Sequence, residues 1–257
     1  MRITIFTAAL VLRCGHAQTV FEAASVRPAP LDAPRVQMTG GVGSSDPGRV
    51  HYENFSLADL VRQAFALKPY QLAAPNWLGT ERFDITAVIP HGATRPQFRE
   101  MLQNLLAERF RMTYHRASKI VPQYALAISP KGHKLRAAGA APDRSQSPPE
   151  SEGYPSFEGP GMIVRNGRAR LQLDQETLAQ LAGRLANQIG QPVLDATGLT
   201  DKFSFSLYWV TDAEGPGESG PGIFQAVQEQ LGLQLRPQKG PIEVLVVDTM
   251  EKTPSGN

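Results

Sequence analysis

The chain has 257 residues, with 26 Lys and Arg against 24 Asp and Glu, and a formal net charge of +2. A chain of this length can bury a sizeable core without disulfide bonds. A nearly neutral charge without a basic block excludes the electrostatic footprint of a nucleic-acid-binding protein, so we expect no nucleic-acid partner.

The first 17 residues have the pattern of a secretory signal peptide. Arg2 precedes an apolar run from Ile3 to Leu12, and the small residues Gly15 and Ala17 suit a signal peptidase. We therefore expect cleavage before Gln18 and a periplasmic or secreted protein. The apolar run is shorter than the about 20 residues that span a bilayer, and no other stretch approaches that length. No transmembrane segment is expected in the mature chain.

The only cysteine, Cys14, lies within this segment. Cleavage would remove it together with Arg2 and Arg13, leaving equal numbers of basic and acidic residues and no thiol chemistry. The alternative, in which Cys14 is lipidated, is disfavoured because Arg13 stands where a lipidation motif needs a small residue.

The first half of the mature chain predicts strands and helices in alternation. Apolar periodicity, capping residues and prolines indicate strands over 20–26 and 50–52 and a helix capped by Asn54 or Ser56 and ended by Pro69. They then indicate a turn over 75–79, a strand over 82–89, a helix from Thr94, and a hairpin of strands over 110–115 and 122–129.

The second half predicts the same order of elements. It comprises a strand over 169–173, a helix from Thr177 to Ile189 closed by Gly190, a strand over 202–210, a helix over 223–231, and paired strands over 233–236 and 242–248. Segments rich in Gly, Ser and Pro predict loops at 37–49, 137–161 and 212–222.

A nearly constant offset relates the two halves. Residues 56–60 return as residues 177–181, 121 positions later, and residues 80–83 return as residues 200–203, 120 positions later. Such matches predict a duplicated supersecondary unit. We expect an α+β fold of two packed β-α-β-α-β-β units with antiparallel or mixed sheets. The expected division is a first unit over 18–136, a linker over 137–168, a second unit over 169–250 and a disordered tail over 251–257.

Catalytic motifs are weak in this sequence. The nearest approach to a G-x-S-x-G nucleophile motif centres on Ser219, but Pro221 replaces its last glycine. Asp84, Asp195 and Asp248 are candidate acids, yet nothing in the sequence places them face to face, and Asp195 begins a segment typical of a turn. We therefore expect no catalytic residue, while a hydrolase using these groups remains the alternative.

Metal and cofactor motifs are also missing. His51 and Glu53 share one face of a strand, but no H-E-x-x-H pattern accompanies them. The Gly-rich residues 40–48 lack the Lys-Ser/Thr of a phosphate-binding loop. We expect no metal and no cofactor.

Aromatic residues are the first candidates for ligand binding. Trp77 lies in a proline-bounded turn, and Tyr70 precedes it. Tryptophan is a frequent contact residue, but it is also usually buried, so Trp77 remains open between the two roles. Trp209 follows Phe203, Phe205 and Leu207 on the apolar side of an alternating strand, which predicts a core position.

Arg111 and His115 are the second candidates. In the expected strand over 110–115 they share one face, with further basic residues nearby, which could bind an acidic glycan or another anionic partner. The alternative is a solvated strand face that discourages edge pairing.

Several strings together carry a family resemblance. They are FEAASVRP at 21–28, APNWL at 74–78, RFDI at 82–85, LLAERF at 105–110, PQYAL at 122–126, PVLDATGL at 192–199, QLGL at 230–233 and GPIEVLVVD at 240–248. With them the chain resembles the soil-associated family of uncharacterised exported proteins expanded in Acidobacteria. More distantly, the strand–helix units are similar to the short N-terminal modules of secretins and TonB-dependent receptors.

The resemblance implies an exported protein of unknown biochemical function. Similar proteins are sometimes fused to membrane peptidases of the β-lactam-sensing type, which implies a sensory or interaction role. We therefore expect a non-enzymatic binding module for a protein or envelope component. A hydrolase acting on an envelope or extracellular polymer is the alternative.

Overall fold

The structure is a computed structural model that describes residues 19–30, 35–139, 153–156, 159–211 and 220–256. It contains both helices and antiparallel or mixed sheets, so the predicted α+β class is confirmed. The helices are α1 (Leu57–Phe65), α2 (Arg95–Phe110), α3 (Leu178–Ile189) and α4 (Ile223–Leu231). The strands are β1 (Ala23–Pro28), β2 (Gln37–Gly40), β3 (Arg49–Ser56), β4 (Leu72–Ala73), β5 (Arg82–Val88), β6 (Thr113–Ile128), β7 (Arg136–Ala137), β8 (Gly161–Arg165), β9 (Arg168–Glu176), β10 (Val193–Asp195), β11 (Phe203–Val210) and β12 (Leu233–Thr249).

The chain divides into two units that interleave along the sequence. The first comprises residues 1–67, 72–115 and 246–257, and the second comprises residues 68–71 and 116–245. The sequence predicted two consecutive units, whereas the C-terminal segment belongs with the N-terminal half.

The first unit is built on an antiparallel sheet of order β1-β5-β3-β2. Its inner face carries Val26, Val50, Tyr52, Ile85 and Ala87, all buried. Because side chains alternate along a strand, the polar residues between them point to the other face. Helices α1 and α2 cover the inner face. The rings of Phe83 in β5 and Phe110 in α2 are in edge-on contact, with their centroids 4.9 Å apart.

The second unit repeats this construction. Its antiparallel sheet has the order β7-β11-β9-β8. The inner face of this sheet and helices α3 and α4 form one hydrophobic cluster, which includes Leu171, Leu207 and Trp209. A further sheet contains β10, β6 and β12 as consecutive neighbours, with β10 parallel to β6.

The two antiparallel sheets share their local irregularities. A register shift interrupts the β3–β5 pairing after Tyr52 and the β9–β11 pairing at Phe203. Asn54 (φ 56°) and Gln175 (φ 54°) take the left-handed conformation at these points. Each lies two residues before the N-cap of the following helix.

Local capping explains where the helices begin and end. Ser56, Thr94 and Thr177 each accept a hydrogen bond from the backbone N–H three residues later, which satisfies an orphan donor of the first turn. α4 ends at Gly232 (φ 62°), where a Cβ would lie 2.5 Å from the carbonyl oxygen of Gly132. Only glycine fits this position without a backbone shift.

The expected strand over residues 110–115 is wrong at its start. Phe110 is the last residue of α2, and Arg111 is its left-handed C-cap (φ 51°). Phe110 follows Leu106 by four positions, so it continues the apolar face of the helix as well as the alternation of a strand. Arg111 therefore precedes β6 and does not share a strand face with His115.

The two expected hairpins are also corrected. Residues 113–128 and 233–249 each form one continuous strand, β6 and β12. Pro122 suggested a break between strands. It fits inside β6 because β10 pairs only with Tyr124, Ala125 and Leu126, which leaves that side of β6 unpaired at Pro122.

Strands also occur where a loop and a linker were expected, and the expected tail makes backbone hydrogen bonds. β2 lies within residues 37–49, and as an exposed edge strand it lacks the apolar alternation that marks a buried one. β7, β8 and the start of β9 lie partly or wholly within residues 137–168. In the C-terminal tail, the Glu251 and Ser255 N–H groups donate to the carbonyl oxygens of Phe110 and Arg109.

Candidate functional site

A cleft of about 760 Å³ lies on the outer face of the first sheet. Its floor consists of polar side chains from all four strands, and its wall comes from the connection between β1 and β2. The lining residues are Ser25, Arg27, Pro30, Arg35, Gln37, His51, Tyr52, Glu53, Asn54, Asp84 and Thr86.

The strand register assembles this floor. Thr86 of β5 lies opposite Ser25 of β1 on one side and His51 of β3 on the other. Arg27 lies opposite Asp84, and Gln37 of β2 lies opposite Glu53. Residues far apart in sequence therefore form rows across the sheet, on the face opposite the helices.

The order of the strands supplies the wall. β1 and β2 are the two outermost strands, so the residues that join them connect opposite edges of the sheet. Pro30 and Arg35, the described residues nearest the middle of this connection, both line the cleft. The described residues of this connection thus form the wall, and residues 31–34 lie outside the described residues.

One carboxylate of the cleft is fixed by the backbone. The Asn54 N–H donates to Asp84 Oδ1 at 2.8 Å, and Arg82 donates to the Asn54 carbonyl oxygen at 2.7 Å. Asp84 thereby stabilises the left-handed residue at the register shift. Beside it, His51 Nδ1 lies 3.0 Å from Thr86 Oγ1.

Three other charged side chains of the cleft lack partners. Within the described part of the chain, neither guanidinium of Arg27 and Arg35 has an ion-pair or hydrogen-bond partner, and the Glu53 carboxylate has none either. All three residues are exposed. The cleft thus offers two cations and one carboxylate to a polar ligand.

The aromatic candidates from the sequence lie outside this cleft. Trp77 is half-buried in a short 3₁₀ turn, and Lys252 Nζ lies 5.3 Å from its ring centroid. Lys252 also forms an ion pair with Glu81 at 3.3 Å. Tyr70 packs against the hydrophobic cluster of the second unit, and this burial raises the pKa of its hydroxyl.

The basic candidates also lie elsewhere. Arg111 is exposed, and its carbonyl oxygen accepts a hydrogen bond from Thr249 Oγ1 at 3.3 Å. His115 Nδ1 lies 2.8 Å from Asp248 Oδ1, with the two side chains 55% and 42% exposed. A polar contact this exposed contributes little to stability.

The hydrolase candidates are each held by a different local partner. Asp195 accepts from the N–H and hydroxyl of Thr197 at 2.9 and 2.6 Å, which is the turn geometry expected from the sequence. Asp248 contacts His115, and Asp84 binds the Asn54 N–H. Ser219 lies outside the described residues.

The corresponding face of the second sheet is covered by its own chain. Tyr154 lies edge-on to Tyr208 at 4.9 Å, and the Arg168 guanidinium lies 5.0 Å above the Tyr154 ring. Tyr154 belongs to the connection from β7 to β8, which again joins the two outermost strands of a sheet.

Sequence reasoning identified part of the cleft but not the cleft itself. His51 and Glu53 were placed on one strand face, and Asp84 was singled out as an acid. Arg27 and Arg35 were missed, because only the strand order and register bring them beside β3 and β5. The available signal was the polar alternation of β1, β3 and β5.

Neither a metal site nor a membrane-spanning helix is found among the described residues. No group of three or more His, Cys, Asp or Glu side chains there could hold a metal ion. No described helix is both long and apolar enough to cross a membrane.

Comparison with known proteins gives a family and no activity. No curated protein and no solved structure matches the chain. Residues 58–250, more than half of the chain, match the family described as a protein of unknown function, DUF3738. The chain therefore belongs to the DUF3738 family.

Proposed function

We propose that this chain is an exported, non-enzymatic binding module whose ligand site is the polar cleft of the first sheet. The observation that carries the proposal is a set of charges without a partner among the described residues, Arg27, Arg35 and Glu53, on one cleft of about 760 Å³. Charged groups that fold without partners are available to a ligand without first breaking an internal ion pair. The partner is a protein or a component of the cell envelope.

Export rests on residues 1–17 and on the resemblance to exported proteins. N-terminal sequencing of the protein recovered outside the cytoplasm should start at Gln18. Recovery of chains that still begin at Met1 would contradict export by this segment.

Binding is favoured over hydrolysis for a geometric reason. General acid–base catalysis by two side chains needs both groups within hydrogen-bond distance of the reacting atoms. Asp84, Asp195 and Asp248 are instead each engaged with a different neighbour in the fold. The role of each carboxylate is thus accounted for locally.

We also propose that the two antiparallel sheets arose by duplication. Their strand orders correspond one to one, and Tyr52 pairs with Ile85 as Leu173 pairs with Phe205, at the offsets seen in the sequence. The left-handed residues Asn54 and Gln175 are also 121 positions apart. On this view the open cleft is a specialisation of one copy.

Site-specific photocrosslinking tests the binding role. A photoreactive amino acid replaces Thr86 on the cleft floor, and a matched control replaces exposed Gln188 on α3. Irradiation of cells that export the protein should give a discrete adduct from position 86 only. Adducts from both positions, or from neither, would count against the cleft as the ligand site.

The sequence prediction of Trp77, Tyr70, Arg111 and His115 as binding residues competes with the cleft and is tested in the same assay. Replacing each singly by Ala, in the protein that carries the crosslinker at position 86, measures their part in ligand capture. On the present proposal the adduct persists in all four variants.

A further inference from the structure

The cleft is bordered by an open edge of the first sheet. β2 is the outermost strand on that side and pairs only with β3, from Gln37 opposite Glu53 to Gly40 opposite Val50. Among the described residues no other strand pairs with β2, so its second side presents backbone N–H and C=O groups to solvent. Such an edge is a template for an added strand.

The opposite edge of the same sheet is less suited to strand addition. β1 ends at Pro28, and Pro30 follows in the connection. Proline lacks the N–H that an added strand would bond to, so it hinders strand pairing at this edge. β2, with the sequence Gln-Met-Thr-Gly, contains no proline.

Side chains along β2 present two different faces to an added strand. Gln37 lines the cleft, whereas Met38 points to the other side of the sheet and is 37% exposed. Val36, just before β2, is 52% exposed. An extended peptide beside β2 would therefore place alternate side chains toward polar and apolar surroundings.

A positive charge of the cleft lies beside this edge. Arg35 lies two residues before β2, lines the cleft and has no carboxylate partner among the described residues. Glu53 lies one strand further in, on β3, and Asp84 is on β5 beyond it. Arg27 is on β1, about 19 Å from an added strand at about 4.8 Å per strand, beyond the reach of one side chain.

We propose that an extended acidic peptide adds to β2 as a fifth strand, with an Asp or Glu carboxylate bound by Arg35. This inference rests on the proposed binding function and specifies its ligand class. Backbone hydrogen bonds to β2 supply affinity, and the Arg35–carboxylate pair supplies selectivity.

Selection from random dodecapeptides displayed on phage tests the inference. The bait is the exported mature protein, beside Arg35→Ala and the control Arg99→Ala, which removes an exposed arginine of α2 outside the cleft. Enriched peptides should carry Asp or Glu among β-formers. In fluorescence anisotropy they should bind the parent and Arg99→Ala equally, and Arg35→Ala at least about tenfold more weakly.

Further measurements place the peptide on the sheet. Replacing its acidic residue by Asn or Gln should cost about the same factor, and amide NMR shifts should centre on residues 37–40. Arg27→Ala should weaken binding less than Arg35→Ala. No enrichment over an uncoated surface, unchanged affinity of Arg35→Ala, or shifts centred away from β2 would each overturn the inference.

The outcomes also separate this inference from the proposed function. An oligomer of galacturonic acid serves as a non-peptide carboxylate probe in the same assay. Binding of that oligomer with no peptide enriched would refute the peptide inference and leave the cleft as a ligand site. Failure of the crosslink at position 86 would instead remove the proposed function itself.

Discussion

The outer faces of the two antiparallel sheets differ, although their strand orders correspond. In each sheet one connection joins the two outermost strands, and its described residues lie at the face opposite the helices. In the second sheet this connection places Tyr154 against Tyr208 and Arg168. In the first sheet the shorter connection leaves a cleft. Two sheets with corresponding strand orders therefore differ in how far the described residues cover their outer faces.

The outer faces of the two sheets differ in charge largely because of one pair of corresponding positions, Asp84 and Ser204. Asp174 in β9 accepts hydrogen bonds from the Ser204 hydroxyl at 2.6 Å and the Gly139 N–H at 3.0 Å, and these bonds lower its pKa. The offset relates Asp174 to Glu53, and Ser204 to Asp84. In the first sheet a carboxylate thus stands where the second has a hydroxyl donor, and Glu53 has no partner within the part of the chain that the structure describes.

Trp209→Ala should have the largest effect on stability and tests whether the two inner faces are equivalent. Trp209 is 3% exposed in the cluster of the second unit, and the offset relates it to Ile89, also 3% exposed. We expect Trp209→Ala to cost about 3–5 kcal/mol and Ile89→Ala about 2–5 kcal/mol in chemical denaturation. Half-buried Trp77→Ala, which loses less buried apolar surface and one cation–π contact, should cost less than Trp209→Ala. An unchanged midpoint for Trp209→Ala would show that its core assignment is wrong.

Gly220→Ala tests how tightly the second outer face is covered. Gly220 has φ 154°, and a Cβ there would lie 2.5 Å from the Tyr154 hydroxyl and 2.6 Å from Val210 Cγ2. The crowding should cost about 1–3 kcal/mol and displace the Tyr154 ring. Denaturation and the NMR signals of the Tyr154 ring measure both effects. Gly48→Ala, where a Cβ meets nothing within 4 Å, is the control.

Asp84→Ala should destabilise the segment at the register shift of the first sheet. It leaves the Asn54 N–H without its carboxylate acceptor, which should cost about 1–3 kcal/mol. Asp84→Asn keeps an acceptor oxygen and should cost less. Equal losses in the two variants would show that the hydrogen bond does not stabilise this segment.

The sequence predicted the parts of this fold that depend on local signals. The sequence predicted Thr94 and Thr177 as helix N-caps and Ser56 as one of two candidates with Asn54, and the structure places a helix after each of the three hydroxyl residues. A hydroxyl that satisfies a first-turn N–H acts within three residues, so sequence reveals it. The errors arose where one pattern fits two structures, as at Phe110, which suits both a helix face and an alternating strand.

The cleft could not be predicted in the same way. Arg27, His51 and Asp84 become neighbours only because β5 lies between β1 and β3 in a particular register. Strand order depends on packing of the whole sheet, which no local pattern encodes. Unpaired charge is also invisible in sequence, since Glu53 and Asp174 look alike until their partners are known.

Removing the helix caps should have a smaller and nearly equal effect in the two units. Ser56→Ala and Thr177→Ala each remove a hydroxyl that accepts a first-turn N–H, which should cost about 1 kcal/mol. Ser→Gly and Thr→Gly at the same sites should cost only a few tenths of a kcal/mol. Denaturation midpoints check this, and a large difference between the two Ala variants would argue against equivalent helices.

The smallest effect we predict is a pH dependence of stability. It should arise at the Ser56 cap of α1 and not at the Thr177 cap of α3. In α1 the N3 residue is Asp59, which receives the Ser56 hydroxyl at 2.6 Å and pairs with Arg62, whereas in α3 it is the neutral Gln180. Burial alone would raise the pKa of Asp59, but the Ser56 hydroxyl and the Arg62 guanidinium lower it below its usual range.

A carboxyl whose pKa is lower in the folded state than in the unfolded chain binds protons more readily when unfolded. Its stabilisation is present above the unfolded value of about 3.9 and is lost as the pH falls through the folded pKa. Asp59→Gln gives α1 the residue type of α3, so the variant should lose stability at pH 7 and lose less than the parent on acidification. Asp46→Asn, at a carboxylate with no hydrogen bond among the described residues, should follow the parent. Parallel stability curves for Asp59→Gln and the parent between pH 7 and pH 3 would contradict the predicted role of Asp59.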